Sequence, residues 1–165
     1  MTYAVHNLAG AQPIADTSTT QKHALGTVCD GTDPTYGGAE FIYLLGVAST
    51  VTGSLVTYSA STWQTALSPT TGNTGQPCAV AMSANVASQY GWYQKRGLAV
   101  IKKTPVAVTP QVAIFLSATA GRIKVAASAG LQVLGARSAN LTTVVTTTST
   151  VVVQISDPHL QGQIT

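Results

Sequence analysis

The chain has 165 residues, of which only 8% are charged, and its formal net charge is +3. A hydrophobic share of 45% excludes a disordered chain, because disorder requires low hydrophobicity and high net charge. No apolar run approaches the roughly 18 residues of a membrane-spanning helix, so we expect one domain that makes no membrane contact.

The first 24 residues show no sustained hydrophobic period. Residues 17–20 are Thr-Ser-Thr-Thr, and Pro13 and scattered apolar residues precede them. This pattern predicts an extended N-terminal arm over residues 1–24. Chain ends are often disordered unless something holds them, and we expect this one to reach a neighbouring subunit or the capsid of an assembly.

From residue 25 onward, short apolar stretches alternate with turn signals. The chain contains 25 threonines, and β-branched residues favour strands. Strands that recur every 8–12 residues are typical of a sandwich or barrel. The sequence therefore predicts an all-β fold, a small β-barrel or sandwich over residues 25–156, with a C-terminal tail at 157–165. The predicted strands are Leu25–Cys29, Glu40–Val47, Leu55–Tyr58, Trp63–Leu67, Cys78–Met82, Gly91–Gln94, Leu98–Lys102, Val112–Leu116, Arg122–Ala126, Leu131–Leu134 and Val144–Ile155.

Some of these segments carry more specific expectations. Glu40–Val47 is apolar almost throughout, which indicates a strand covered on both faces. Lys95-Arg96-Gly97 is interpreted as a turn between two strands, and Ala120-Gly121 as the turn of a hairpin. In the last strand, alternate residues from Val151 to Ile155 should share one face. The best candidate for a helical turn is Asn85–Ser88.

The acidic residues and histidines form no catalytic constellation. Asp30 and Asp33 lie in a Gly/Pro-rich segment, where Asp commonly hydrogen-bonds its own backbone, so we expect them to form a turn. A calcium site needs several carboxylates with carbonyl oxygens, and two carboxylates alone are weak support for one. No nucleophile elbow, phosphate loop or zinc-protease spacing is present. We therefore expect no enzyme activity, cofactor or metal, unless a pocket gathers Asp30, Glu40 and a histidine. The histidines are His6, His23 and His159.

Two further residue groups have open interpretations. Cys29 and Cys78 are predicted to be buried free thiols, with a disulfide as the alternative. The basic residues indicate a solvated rim or a contact with an acidic partner, or else contact with a polyanion. The polyanion interpretation lacks interleaved aromatic residues, so we expect no nucleic-acid partner. These basic residues are Lys95, Arg96, Lys102, Lys103, Arg122 and Lys124.

Gly91-Trp92-Tyr93 stands beside Lys95 and Arg96. Aromatic residues on a β surface bind sugar or protein, but they are more often core or subunit interface. We take Trp92, Tyr93, Lys95 and Arg96 as a candidate interface.

A series of motifs along residues 25–156 resembles the head decoration, or capsid cement, proteins of tailed bacteriophages. The resemblance implies a β-barrel that binds the outer face of the major capsid protein, often as a homotrimer at threefold positions, and it brings no catalytic residues. The motifs are Gly46-Val47-Ala48, Gly53-Ser54-Leu55-Val56-Thr57-Tyr58, Gly75-Gln76-Pro77-Cys78-Ala79-Val80-Ala81, Gly91-Trp92-Tyr93-Gln94-Lys95-Arg96-Gly97-Leu98-Ala99-Val100-Ile101, Val112-Ala113-Ile114-Phe115-Leu116, Ala120-Gly121-Arg122-Ile123 and Leu134-Gly135-Ala136-Arg137.

The resemblance thus implies a non-enzymatic virion protein that stabilises the phage head from the outer capsid surface, after assembly in the host cytoplasm. One alternative is another virion subunit, of the tail tube or of head completion. A second is a carbohydrate-binding β module, which would expose Trp63, Trp92 or Tyr93 on a flat surface.

Overall fold

The structure is a computed structural model that describes residues 2–163. Within this range the fold is all-β, with 44% strand and no helix, as the sequence predicts. No helix in these residues is long and apolar enough to cross a membrane. The strands are β1 (Ala4–Val5), β2 (Thr17–Ser18), β3 (Val28–Asp33), β4 (Gly37–Leu45), β5 (Leu55–Tyr58), β6 (Thr65–Leu67), β7 (Cys78–Ala81), β8 (Tyr90–Lys102), β9 (Ala113–Leu116), β10 (Ile123–Lys124), β11 (Gln132–Ser138) and β12 (Thr150–Leu160).

The strands form one open antiparallel sheet of sandwich-like shape. Its main path runs in the order β1-β3-β4-β8-β12-β11-β9-β10. Strand β7 joins β5 and β6 to β8, and β2 also pairs with β8. A parallel bridge between Lys103 and Ile123 links the end of β8 to β10, so this half of the sheet curls back on itself.

Strand β8 is the centre of the fold. Its first half pairs with β4, β2 and β7, and its second half pairs with β12. The predicted turn at Lys95-Arg96-Gly97 is therefore wrong. Glu40 pairs with Arg96 while Phe41 pairs with Gln94, so Lys95 is the extra residue of a β-bulge. The charged residues and the glycine mark this bulge, and partner strands on both sides keep the chain extended through it.

Three apolar cores lie against the sheet, and β8 contributes to all of them. The first core fills the curled half and includes Ala99, Ile101 and residues of β9–β12. The second holds Trp92 and the third holds Tyr93, from opposite faces of β8.

Two sequence expectations about individual strands are confirmed. In β4, Phe41 and Tyr43 enter the second core while Ile42 and Leu44 enter the third, so this strand is covered on both faces. In β12, the alternate residues Val151, Val153 and Ile155 all point into the first core.

The N-terminal arm is extended and lies against its own chain. Strand β1 pairs with β3, and β2 pairs with β8. Ile14 is buried in the second core, and Gln12 is buried beside it. The sheet therefore recruits this segment even though its sequence has no periodic pattern.

Several boundaries differ from the prediction. The last strand begins at Thr150 rather than Val144, and it continues to Leu160, beyond the predicted boundary at 156. Asp30-Gly31 lies inside β3, because the connecting turn falls at residues 34–36. Residues 85–88 form no helix; a turn closes there through a hydrogen bond from Gln89 N to Val86 O.

Candidate functional site

Of the four candidate interface residues, the two aromatic ones are core residues. Trp92 and Tyr93 are both 0% exposed. Trp92 Nε1 donates a hydrogen bond to Gln12 O at 2.9 Å, and Asn85 Nδ2 donates one to Tyr93 Oη at 3.0 Å. Burial raises the pKa of the Tyr93 hydroxyl. Because neither ring reaches the surface, neither can contact a sugar or a second protein in this fold.

The two basic residues of the candidate interface belong to an ion-pair network at the β8 bulge. Lys95 Nζ lies 3.1 Å from Glu40 Oε1 and 2.8 Å from Asp157 Oδ1. Arg96 reaches the second oxygen of each of these carboxylates. Hydrogen bonds from Lys95 lower the pKa of Asp157, while Asp157 and Glu40 raise the pKa of Lys95 against the opposing effect of its burial.

The network continues across the sheet as one row of charged residues. Asp30 of β3 is the direct partner of Glu40, and Glu40 is the partner of Arg96. His6 follows β1, and its backbone N–H donates to Asp30 O at 3.0 Å. Two carboxylates directly opposite each other repel, and the basic residues of β8 offset this repulsion. We call Asp30, Glu40, Lys95, Arg96 and Asp157 the charge row.

A shallow cleft of about 280 Å³ lies over this row and gathers His6, Asp30, Glu40 and Arg96. Asp30, Glu40 and a histidine in one pocket are the arrangement that the sequence analysis named as favouring an enzyme, so the contacts of these residues are informative. His6 Nε2 lies 2.6 Å from Thr32 Oγ1, and Asn7 Nδ2 donates to Asp30 Oδ2 at 3.0 Å. Together with the ion pairs of Glu40, these contacts give each titratable group a partner within the chain. The ion pairs of the row thus join β4, β8 and β12, while His6 and Asn7 hold the segment after β1 against β3.

Asp33 closes the turn between β3 and β4, as predicted. Its Oδ1 accepts hydrogen bonds from Thr35 N at 2.8 Å and Tyr36 N at 3.0 Å, and its Oδ2 accepts one from Thr2 N at 2.7 Å. Burial would raise the pKa of this carboxyl, but the three backbone donors hold it below its usual value. Among residues 2–163, no group of three His, Cys, Asp or Glu side chains is arranged to hold a metal ion.

The two cysteines are free and buried, as the sequence predicts. They belong to different cores, Cys29 to the second and Cys78 to the first. Burial raises the pKa of each thiol to about 12. Both therefore pack as small apolar side chains rather than as nucleophiles.

A second surface lies where the β8–β9 loop (103–112) meets the β11–β12 loop (139–149). Val108 and Val144 form an antiparallel bridge between these loops. Lys103 is 1% exposed, and its ammonium donates to Val106 O at 2.9 Å and Val145 O at 3.0 Å. Burial lowers the pKa of this lysine. The Lys103 ammonium and the Val108–Val144 bridge therefore hold the two loops together.

The solvent-exposed side of these loops carries apolar and basic side chains. Leu141 is 97% exposed, Val145 is 56% exposed and Val106 is 36% exposed. Arg122 lines a groove with residues 146–149. Lys124 is the last residue of β10, and alternation along the chain puts it on the same face as Arg122. We call Val106, Leu141, Val145, Arg122 and Lys124 the loop face.

Four residues of the charge row and the two basic residues of the loop face are named in the sequence analysis, but Asp157 and the exposed apolar residues are not predicted. The sequence predicts a C-terminal tail from residue 157, so it does not predict the ion pairs of Asp157 with Lys95 and Arg96 at the bulge. Residues 144–149 were assigned to a strand, because a run of Val and Thr is typical of strands. The residue that could have indicated a loop is Asn140. Its side-chain amide donates to Val108 O and Thr142 O within the two loops.

Comparison with protein-family models and with curated proteins finds no match to this chain. The resemblance to phage head decoration proteins therefore stays a prediction from the sequence motifs.

Proposed function

We propose that the protein is a non-enzymatic structural subunit of a virion, a capsid decoration protein that binds the major capsid protein and stabilises the phage head. It acts on the outer surface of the capsid, after assembly in the host cytoplasm, and it associates with itself as a homotrimer. It needs no cofactor.

The observation that carries this proposal is how few charges the surface leaves free. Only 8% of the residues are charged. Glu40, Lys95, Arg96 and Asp157 neutralise one another as ion pairs, and Asp30 accepts a hydrogen bond from Asn7. Lys103 is buried, and Asp33 is engaged by backbone N–H groups. Much of the rest of the surface is Thr, Ser, Ala and Gln. Copies of such a protein repel one another weakly, which favours dense packing on a lattice, where many modest contacts add up.

The all-β body also supports the proposal, because the family resemblance implies an all-β protein, although the sheet is open and not closed into the implied barrel. The charge row joins strands from both ends of the chain. This contributes to a rigid body whose shape is set before it meets a partner.

The test uses heads of the phage that encodes the chain, assembled without it. Purified protein is added, and binding is measured by co-sedimentation and by electron microscopy. We expect binding at defined lattice positions and a higher temperature of head disruption. Stacked rings formed by the protein alone, with no binding to heads, would instead assign it to the tail.

The carbohydrate-binding alternative needs exposed aromatic residues, but two of its three candidates, Trp92 and Tyr93, are buried in the core. Trp63 is half-buried and stacks on Tyr58, with ring centroids 6.4 Å apart. A glycan array with the wild-type protein and the Trp63→Ala variant tests whether Trp63 binds sugar.

A further inference from the structure

We infer that the loop face is the surface through which this protein docks onto an acidic protein surface. The inference rests on the proposed function and extends it by naming the docking surface and the chemistry of the partner.

The first step is the exposure of apolar side chains on anchored loops. Leu141 is almost fully exposed, although Asn140 beside it is buried and hydrogen-bonded to the neighbouring loop. The Lys103 ammonium and the Val108–Val144 bridge fix the backbone beneath Val145. Apolar side chains held in place above a fixed backbone lose little entropy when they are covered, which favours binding.

The second step is the sign of the charge around these side chains. Arg122 and Lys124 are the basic residues of the loop face, and Arg122 Nη1 approaches Lys103 O at 3.5 Å. All ion pairs among residues 2–163 belong to Lys95 and Arg96, so Arg122 and Lys124 have no acidic partner there. A complementary partner therefore carries Asp and Glu around an apolar centre.

The third step excludes a second copy of the chain as that partner. The chain has five acidic residues. Glu40 and Asp157 are ion-paired, Asp30 accepts from Asn7, and Asp33 binds three backbone N–H groups. Only Asp16 is without such a partner, so a second copy offers no group of free carboxylates to the loop face. A different, acidic protein complements the loop face, and under the proposed function this is the outer face of the capsid shell.

Nucleic acid fits the loop face less well than protein. The loop face contains no aromatic residue on which a base could stack, and its most exposed side chain is a leucine. Phosphate contacts alone would leave Leu141, Val145 and Val106 in water.

The test measures binding of variants to heads assembled without the protein. Leu141→Ser removes the apolar contact, and the double variant Arg122→Gln/Lys124→Gln removes charge. The matched controls are Val86→Ser, at a valine that is 46% exposed elsewhere, and Lys22→Gln in the N-terminal arm. Leu141 and Val86 are both exposed, so these variants are expected to fold, which circular dichroism checks.

We expect Leu141→Ser to weaken binding at least tenfold and both controls to bind like the wild type. The double variant should bind more weakly at low salt and lose most of the salt dependence of the wild type. If wild type, Leu141→Ser and the double variant bind heads equally, the inference fails and the proposed function stands. If the wild type does not bind heads, both fail.

Two other results would overturn the inference alone. One is self-association of the isolated chain that Leu141→Ser abolishes while binding to heads persists, which would assign the loop face to contact between copies. The other is salt-sensitive binding to a single-stranded DNA oligonucleotide that the double variant loses while its binding to heads is unchanged.

Discussion

Gly97 is the residue on which the centre of the sheet depends. Its φ is +102°, a conformation that side chains with a Cβ rarely adopt. A Cβ at this position would stand 2.6 Å from Gly38 O and 3.1 Å from Ala39 Cβ. Glycine at this position, next to the bulge at Lys95, lets the backbone of β4 lie close to β8.

Gly97→Ala should therefore destabilise the protein by roughly 3 kcal/mol, the upper end for a strained backbone position. Gly37→Ala is the matched control, because Gly37 also has a positive φ, of +73°, but no atom within 4 Å of an added Cβ. It should cost only about 1 kcal/mol, from backbone strain alone. Urea unfolding measures both, and equal losses would show that the approach of β4 does not matter.

Asp33 should give the protein part of its acid sensitivity. Its pKa is lowered in the folded state, so the unfolded chain takes up the proton first as the pH falls. The stabilisation is therefore complete above about pH 4, the ordinary pKa of Asp, and is lost as the pH falls through the lowered folded pKa. Asp33→Asn keeps an oxygen acceptor for the turn but cannot titrate.

The measurement is the unfolding free energy of wild type and Asp33→Asn between pH 6 and pH 2. We expect the wild type to be more stable at pH 6 and the difference to shrink below pH 4. A difference that is constant with pH would mean that the charge of Asp33 has no role. Other carboxylates, including Asp157, titrate in both proteins and cancel in this comparison.

At the scale of elements, Gln12 is a central anchor of the N-terminal arm. Tyr43 Oη donates to Gln12 Oε1 at 3.0 Å, and Gln12 Nε2 donates to Asp16 O at 2.8 Å. The backbone of Gln12 also accepts from Trp92 Nε1 and donates to His23 Nε2 at 3.0 Å. Strands β1 and β2 are only two residues long, so they add little on their own.

Gln12→Ala should therefore loosen the arm without unfolding the body. Two buried side-chain hydrogen bonds are lost, each worth about 1 kcal/mol. We expect amide hydrogen exchange in residues 2–18 to become at least tenfold faster, with β8 and β12 unchanged. Gln21→Ala is the control, because the exposed Gln21 amide bonds only the nearby His23 O. Unchanged exchange in Gln12→Ala would place the anchor of the arm elsewhere.

Sequence alone predicts the elements of this fold better than their connections. The unbroken apolar run of β4 and the alternation of β12 follow from burial on one or two faces, and periodicity reports burial directly. The bulge at Lys95 and the pairing of Asp30 with Glu40 depend on register, which is set by strands far away in the chain. A charged Lys-Arg-Gly triplet is consistent with a turn or a bulge, and only the partner strands decide between them.

At the scale of the whole molecule, β8 makes the three cores depend on one another. Both halves of this strand contribute side chains to the cores. The first half contributes Trp92 and Tyr93, and the second contributes Ala99 and Ile101. The charge row spans the same strand between them. The molecule should therefore unfold in one step, although its cores are separate clusters.

Ile114→Ala tests this coupling, because Ile114 is buried in the first core on β9, and Trp92 lies in the second core. The substitution should cost about 2–5 kcal/mol, and the transition seen by tryptophan fluorescence should shift as far as that seen by far-ultraviolet circular dichroism. Val86→Ala, at an exposed position, should shift neither. A fluorescence transition that stays in place while the circular dichroism transition moves would mean that the cores unfold independently and that β8 does not carry stability from one to the other.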